Sequence, residues 1–254
     1  MPSSALVLLS LDTATDRIHA ALTVDDSLSV LDLPGGAQAS ASLLPALNGL
    51  LQGAGLAWAD VDAVAFGSGP GAFTGLRTAC SVTQGLALGL GCPVISLDTL
   101  MAVAEDARLQ SPESWSAGDT IWVLQDARMS ELYVGAFTWT GQDWQATQPA
   151  QLWSLEEPLR RWAPNVAVDS SLRWAGNAAI AYPDLLGVLN AAQARVANGE
   201  AAAPRGAALA TLARRAWNRG DTLDAALALP RYVRDKVAQT TAERQAMAQA
   251  RDQA

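Results

Sequence analysis

The sequence predicts an α/β fold of two similar lobes, each a mixed β-sheet with helices packed on it. Apolar runs of strand length alternate with helical stripes of leucine and alanine along the chain. The order strand-strand-strand-helix-strand-helix-strand occurs twice, once in each half. The chain has 254 residues, more than a typical single domain, and half of them are apolar. These observations favour two lobes with a cleft between them.

The first half opens with a meander of three strands. Residues 5–11 form a continuous apolar run, which is typical of a buried central strand, and a polar turn at residues 12–16 follows it. Residues 18–24 and 27–33 continue the meander, and Pro34 with the two glycines after it ends it.

The rest of the first half alternates helices and strands. Leucines at helical spacing predict a helix over residues 43–51, and residues 76–90 predict a second helix that is apolar on nearly every side. Strands are predicted at residues 61–66 and 94–97, and a third helix at residues 101–109.

The second half repeats the opening. Residues 120–125, 131–138 and 144–152 predict three more strands. Ser154 and Glu157 have the spacing of a capping box, which predicts a short helix beginning after Ser154.

The end of the second half contains its clearest helix. After strand-like residues 166–168 and a helix from about Pro183, the pattern predicts a helix over residues 204–219. Gly220 fits its C-cap, and the arginines near its end, including Arg215, are expected to face water.

These elements divide the chain into three predicted parts. The N-terminal lobe covers residues 1–108 and carries helices that could dock a partner. The C-terminal lobe covers residues 119–238. Residues 239–254 are polar and are expected to form a mobile tail.

Charge and composition exclude several classes of protein. Residues 1–107 carry ten acidic and two basic side chains, which accounts for the whole net charge of −8. Such a surface repels a phosphate backbone, so direct nucleic-acid binding by this half is not expected. Glycine and proline interrupt every long apolar stretch, so no membrane helix is expected. The absence of a basic signal-peptide region and the two cysteines, expected to be reduced thiols, predict a cytoplasmic protein.

A glycine-rich loop at residues 67–77 follows the strand predicted at residues 61–66. Its glycines allow the backbone to approach closely either a ligand or another part of the chain. The residues that define this structural loop are Gly67, Gly69, Pro70, Gly71, Phe73, Thr74, Gly75 and Arg77.

The glycine loop does not match a Walker A motif, since the only lysine of the chain is Lys236. It does fit the Gly-x-Gly-x-x-Gly/Ala pattern of dinucleotide-binding enzymes. Pro70 interrupts that pattern, and the helix is expected to begin only after Gly75. We therefore interpret the loop as a tight strand-to-helix turn, with a dinucleotide-binding enzyme as the alternative.

Four motifs together resemble a known family. They are Leu11-Asp12-Thr13-Ala14-Thr15, the string Gly-Ser-Gly-Pro-Gly-Ala-Phe-Thr-Gly-Leu-Arg at residues 67–77, Asp126-Ala127-Arg128-x-x-Glu131-x-Tyr133 and Pro230-x-Tyr232-x-Arg234. In this order they are similar to motifs of the bacterial TsaB (YeaZ) family. The resemblance covers almost the whole chain and implies the actin/Hsp70/sugar-kinase-like (ribonuclease H-like) fold.

The resemblance also implies a function. Members of this family act in the threonylcarbamoylation of adenosine 37 of tRNA (t6A biosynthesis). They are held to be non-catalytic partners that support and activate the transferase TsaD by forming a heterodimer with it, and the ATPase TsaE joins that pair. By this resemblance the chain would meet tRNA only indirectly.

The sequence offers no catalytic or metal-binding group. The catalytic homologue of the family binds a metal through a His-x-x-x-His helix motif, whereas the only histidine here is His19. A protease would need His19 as general base. A histidine at the start of a strand beside Arg17 is more typical of the surface, so no catalytic residue and no metal ligand is predicted.

The two polar turns are the candidate cofactor site. Active enzymes of this fold bind phosphates with backbone N–H groups of two hairpin turns, usually with glycine or a cation. Here Asp12 and Thr13 begin one turn, and Asp126 and Arg128 lie in the other. We expect these to be degenerate phosphate turns, with no cofactor in the isolated chain and with ATP and Mg²⁺ used by the complex. An ATP-dependent kinase or carbamoyl-type transferase of the same fold stays open as an alternative.

An apolar face on the first two helices is the candidate partner interface. Between residues 63 and 97 the only formal charge is Arg77, as expected for a buried or partner-covered surface. The predicted interface residues are Leu43, Leu44, Leu47, Leu51, Val82 and Leu86. By the resemblance this face would bind TsaD, or a second copy of the chain when TsaD is absent.

Overall fold

The computed structural model describes residues 5–36, 39–162, 173–185, 195–196 and 201–234. The strands are β1 (Val7–Asp12), β2 (Arg17–Val24), β3 (Ser27–Pro34), β4 (Ala63–Gly69), β5 (Val94–Asp98), β6 (Thr120–Arg128), β7 (Glu131–Trp139), β8 (Trp144–Ser154), β9 (Arg173–Ala175) and β10 (Arg195–Val196). The helices are α1 (Ala39–Gly53), α2 (Phe73–Leu90), α3 (Thr99–Leu109), α4 (Glu156–Arg161), α5 (Ala178–Ala181) and α6 (Gly206–Arg219).

The two halves form two sheets of the same topology. The first sheet has the order β3-β2-β1-β4-β5, and the second has the order β10-β9-β6-β7-β8, which is the same arrangement with corresponding strands. In each sheet the first three strands pair antiparallel, and the later strands pair parallel to the first. Parallel neighbours require a crossover connection, and α1 and α2 supply those of the first sheet. The predicted duplication is confirmed.

Two hydrophobic cores lie on the two faces of the first sheet. One, between the sheets, contains Leu8 and Ile95 of the first sheet and Phe137 of the second. The other, under α1 and α2, contains Leu9 and Phe66. Because neighbouring residues of a strand face opposite sides of the sheet, the wholly buried opening strand supplies both cores.

The structure corrects part of the predicted interface on α1. Leu43, Leu47 and Leu51 have exposed fractions of 0, 0 and 1%. They pack against the first sheet, because a helix in an α/β lobe buries its most regular apolar stripe there. These three leucines therefore cannot contact a partner directly.

The helices between the sheets cross the predicted division of the chain. α3, from the first half, contacts β6 to β9, whereas α6, from the second half, packs on the first sheet and on α3. Their contact includes a fully buried carboxylate, Glu105, which pairs with Arg108 and Arg215 and accepts a hydrogen bond from Trp144. Contrary to the prediction, Arg215 does not face water. It pairs with the buried carboxylate of Glu105, whose unpaired charge would destabilise the fold.

Two further predictions differ from the structure, and three lie wholly or mostly outside the described residues. His19 is 1% exposed within β2 rather than a surface residue. The capping box is wrong, since Ser154 still belongs to β8 and α4 begins at Glu156 without a side-chain cap. The strand-like residues 166–168, most of the helix predicted from about Pro183 and the tail at 239–254 lie outside the described residues. The C-cap is confirmed, because Gly220 is left-handed at the end of α6.

Candidate functional site

A cleft between the two sheets brings the predicted turns together. Its cavity measures about 440 Å³. The first turn (residues 12–16) lines it with Thr15, the glycine loop (residues 67–77) with Pro70, and the second turn (residues 126–130) with Asp126 and Arg128. Of the four residues predicted for this site, Asp126 and Arg128 therefore line the cavity directly.

Asp12 and Thr13 lie beneath the first turn rather than in the cavity. The Asp12 carboxylate is fully buried and accepts hydrogen bonds from the Ala14 backbone N–H at 2.7 Å and from the Thr99 hydroxyl at 2.8 Å. Burial raises the pKa of Asp12 to about 6, against the lowering effect of these two bonds. The Thr13 hydroxyl donates to the Gly75 carbonyl at 2.7 Å. Both side chains fix the turn to its surroundings.

Asp126 makes the corresponding bond in the second turn. Its Oδ1 accepts from the Arg128 backbone N–H at 2.7 Å, again two residues along, and from the Tyr182 hydroxyl at 2.8 Å. Its Oδ2 lies 3.2 Å from the Arg128 guanidinium, which is 80% exposed. The side-chain Oδ1 of Asn177 accepts a hydrogen bond from the Asp126 backbone N–H at 2.7 Å. In each turn, one backbone N–H therefore already donates a hydrogen bond to a carboxylate of the same turn.

The backbone of the second turn is unusual. Arg128, Met129 and Ser130 have φ angles of 65°, 57° and 59°, so three consecutive non-glycine residues are left-handed. Each such residue costs of order 1 kcal/mol or more unless its surroundings hold it in place. Among the described residues that line the cavity, Arg128 is the one with a positive charge.

The glycines at both ends of the loop approach the first turn closely. A Cβ on Gly75 would lie 1.8 Å from the Thr13 carbonyl oxygen, and one on Gly67 would lie 1.7 Å from Asp12 Oδ2. The interpretation as a tight strand-to-helix turn is confirmed, because β4 ends at Gly69 and α2 follows at once. The helix begins at Phe73, however, earlier than predicted.

The remaining residues of the loop have structural partners. A Cβ on Gly71 would lie 2.5 Å from that of Ala14. The Thr74 carbonyl accepts a hydrogen bond from the Thr78 hydroxyl, and the Phe73 ring stacks on that of Tyr232. Close approach to the chain itself is thus what the loop accomplishes in this structure.

The sequence did not indicate which further residues hold the two turns in place. Thr99, at the start of α3, bridges the Gly69 backbone N–H and Asp12. Tyr182 and Asn177 bond to Asp126 across more than 50 residues of sequence. No periodicity of the sequence relates Asn177 or Tyr182 to Asp126.

A second cavity lies between α1 and α2, and we name it the α1–α2 groove. It measures about 520 Å³ and is lined by Leu44, Pro45, Asn48, Trp58, Gly85, Leu86, Gly89 and Leu90. Of the predicted interface residues, Leu44 is 43% exposed and Val82 and Leu86 are half-buried. Gly85 and Gly89 also line the groove but were not among the predicted interface residues. Two glycines four residues apart on an uncharged helix indicate an open face.

Two kinds of site are absent from the part of the chain that the structure describes. No three or more histidine, cysteine or acidic side chains gather there as metal ligands. No described helix has both the length and the hydropathy needed to cross a membrane.

Comparison with known proteins agrees with the motifs. The family model described as TsaD, tRNA N6-adenosine threonylcarbamoyltransferase, matches residues 36–242. The tRNA threonylcarbamoyladenosine biosynthesis protein TsaB of Escherichia coli K12 is 29% identical over 241 residues, which cover 91% of this chain and 96% of that protein. The protein of the same name from Haemophilus influenzae is 37% identical over 128 residues, 50% of this chain and 52% of its own length.

A solved structure agrees over nearly the whole length. YeaZ from Pseudomonas aeruginosa superposes with a TM-score of 0.72 at 30% identity, covering 89% of this chain and 99% of that one. The two equivalent sheets form the two-lobed architecture of the actin/Hsp70/sugar-kinase-like fold. The motifs, the family model and this superposition agree, and the chain belongs to the TsaB (YeaZ) family.

Proposed function

We propose that this chain is a non-catalytic accessory subunit in the threonylcarbamoylation of tRNA adenosine 37. In this proposal it binds a TsaD-type transferase through the α1–α2 groove and activates it, with a TsaE-type ATPase joining the complex. Membership of the TsaB family supports the pathway, since relatives are named as t6A biosynthesis proteins. The chain would contact tRNA only through the complex.

The observation that carries the docking proposal is the apolar, uncharged α1–α2 groove. Its lining side chains include Leu44, Trp58 and Leu86, and none of the described residues that line it is charged. Leu44, in the lining of the groove, is 43% exposed. An exposed apolar region of this kind on a monomer is typical of a protein–protein interface.

The cleft supports an accessory role rather than catalysis. A phosphate bound at the two turns would need free backbone donors, yet Ala14 N–H and Arg128 N–H already donate to Asp12 and Asp126. The Asp126 carboxylate, which lines the cavity, would also repel a phosphate bound there. The reaction is therefore assigned to the transferase partner.

The docking proposal is tested with Gly89→Arg. Gly89 is exposed on α2 and a Cβ there meets no atom within 4 Å, so the variant should fold, since arginine also favours helix more than glycine does. Binding to the transferase, measured by titration calorimetry, should weaken at least about 100-fold, because a charge is desolvated in the contact.

The matched control places the same charge elsewhere. Gln145→Arg lies on the exposed side of β8, far along the chain from the groove, and should bind the transferase like the wild type. If Gly89→Arg also binds with wild-type affinity, the partner docks on another face. Sedimentation of the two variants alone tests whether a second copy of the chain uses the same groove.

A second candidate function is an ATP-dependent enzyme of the same fold. The observation in its favour is the 440 Å³ cleft with Arg128 at its edge, which could contact a phosphate. Titration of the isolated chain with Mg²⁺-ATP, followed by an assay of ATP turnover, distinguishes the two functions. Turnover that is lost in Arg128→Asn would favour the enzyme.

A further inference from the structure

Residues 228–234 lie outside any helix or strand and contact both the glycine loop and the second turn. They follow the short 3-10 helix Ala225–Leu227 and contain the motif Pro230-x-Tyr232-x-Arg234. Their partners are more than 100 positions away in the sequence and belong to both halves of the chain. The proposed docking function makes no use of this segment.

The first part of the segment is bound to the glycine loop and α2. The Ala228 carbonyl accepts hydrogen bonds from Cys80 Sγ at 3.2 Å and from Gln84 Nε2 at 2.9 Å. The Arg231 backbone N–H donates to the Ser68 carbonyl at 2.6 Å. Gly69 is required there, because a Cβ would lie 2.7 Å from the Arg231 carbonyl oxygen and its φ is +119°.

Side chains strengthen this attachment to the first half. The Tyr232 ring stacks on Phe73 with centroids 4.8 Å apart and an angle of 15°, and its hydroxyl accepts from Arg77 Nε at 3.1 Å. Arg231 forms an ion pair of 3.1 Å with Asp98, the residue that caps α3. Arg77, the isolated charge of the glycine loop, thus has a partner in this segment.

The last part of the segment is bound to the second turn. The Arg234 guanidinium donates to the Arg128 carbonyl at 3.2 Å and forms an ion pair with Glu131, and it also contacts Met129 Sδ at 3.4 Å. Its side chain is only 10% exposed. Arg234 therefore spans the three left-handed residues, whose backbone needs such external support.

We propose that residues 228–234 form a strap that couples the glycine loop to the second turn and so sets how far the cleft opens. The strap is anchored at Ser68 and Phe73 on one side of the cleft and at Arg128 and Glu131 on the other. The glycine loop and the second turn are the two walls of the cleft. Releasing either end of the strap removes contacts that hold these two walls in one relative position. Loosening one wall should consequently loosen the other, although the two walls belong to different sheets.

The test measures amide hydrogen exchange by mass spectrometry in the full-length chain. Tyr232→Leu removes the ring stack on Phe73 and the bond from Arg77. The strap predicts at least about fivefold faster exchange in residues 126–131, as well as in residues 67–77. Arg234→Met should accelerate residues 67–77 in turn, although its own contacts lie in the second turn.

Three controls distinguish coupling from general destabilisation. None of the hydrogen bonds or ion pairs described for the strap involves β8. Amide exchange in β8 should therefore stay unchanged in both variants. Arg219→Met removes ion pairs with Asp143 and Asp221 and should leave both walls unchanged. Tyr232→Phe keeps the ring and should have a smaller effect than Tyr232→Leu.

Either of two outcomes would overturn the strap. In one, each variant accelerates exchange only in the wall that it contacts. In the other, β8 accelerates as much as the two walls, which would indicate general unfolding. If Arg234→Met does not fold, the Tyr232→Leu result alone decides between these outcomes and the prediction.

Discussion

The first and second turns use the same backbone solution in different surroundings. In each, an aspartate at the end of a central strand accepts the N–H two residues along at 2.7 Å. Asp12 is completely buried, with the neutral Thr99 as its other partner, whereas Asp126 lies beside the exposed cation of Arg128. The duplicated halves therefore kept the turn, and they differ in what covers it.

The glycine loop covers the first turn, and no comparable loop among the described residues covers the second turn. Gly67, Gly71 and Gly75 bring main chain against the first turn. In the second half, side chains such as Tyr182 and Asn177 brace the turn instead. A turn closed by backbone should tolerate substitution poorly, and a turn braced by side chains should tolerate it better.

The largest effect is expected for Gly75→Ala. The new methyl group would overlap the Thr13 carbonyl oxygen, and main chain cannot move aside as a flexible side chain would. The free energy of unfolding, measured in urea, should fall by more than about 4 kcal/mol. Gly85→Ala on the same helix is the control; its Cβ meets open space, and it should stabilise by up to about 1 kcal/mol. Equal stability of the two variants would contradict a turn closed by backbone.

A smaller and pH-dependent effect is expected for Asp12→Asn. Burial raises the pKa of Asp12 from 3.8 to about 6, so the folded protein binds this proton more tightly than the unfolded chain does. Its stabilising contribution is present below about pH 4 and is lost as the pH rises through 6. Relative to the wild type, Asp12→Asn should therefore gain up to about 3 kcal/mol in unfolding free energy between pH 4 and pH 7.

The pH dependence must be measured as the difference between variant and wild type, because the titration of His19 changes the unfolding free energy in the opposite direction. Burial lowers the pKa of His19 to about 4, so its contribution to stability is lost as the pH falls from 6.5 to 4. Since both proteins contain His19, its effect cancels in the difference of their urea unfolding free energies. A difference that does not change with pH would mean that Asp12 ionises normally in the folded chain.

The smallest effect is expected for Asp126→Asn. The amide oxygen can still accept from the Arg128 N–H and the Tyr182 hydroxyl, so only the ion pair with the exposed guanidinium is lost. Thermal and urea unfolding should show a loss of no more than about 1 kcal/mol. A loss as large as that of Gly75→Ala would show that the second turn is as tightly enclosed as the first.

Local patterns predicted the elements of this fold well. The strand meander, the strand-helix alternation and the C-cap at Gly220 each depend on neighbours within a few residues, and each is confirmed. The glycine loop was also recognised as a strand-to-helix turn. Its partner, the first turn, could not be identified, because that contact joins Thr13 to Gly75 across 62 residues.

The wrong predictions have a common physical cause. Leu47 and Arg215 were each predicted to lie on a surface from the pattern of one helix face. That pattern does not indicate which part of the fold the helix packs on. Leu47 faces the first sheet, and Arg215 faces a buried carboxylate of α3. His19 was assigned to the surface by its type, yet β2 lies between two other strands and under α6. Tertiary packing determined each of these positions.

The most direct test of the account is the modification reaction reconstituted from the transferase, the ATPase, ATP, tRNA and a preformed, activated threonylcarbamoyl donor. Omitting this chain gives the baseline, and two variants separate the groove from the cleft. Gly89→Arg blocks the α1–α2 groove, whereas Arg128→Asn removes the cleft's cation and tolerates the left-handed backbone. The account predicts that t6A formation falls to the baseline with Gly89→Arg and stays at the wild-type rate with Arg128→Asn. The reverse result would contradict it, because it would place the contribution of this chain in the cleft.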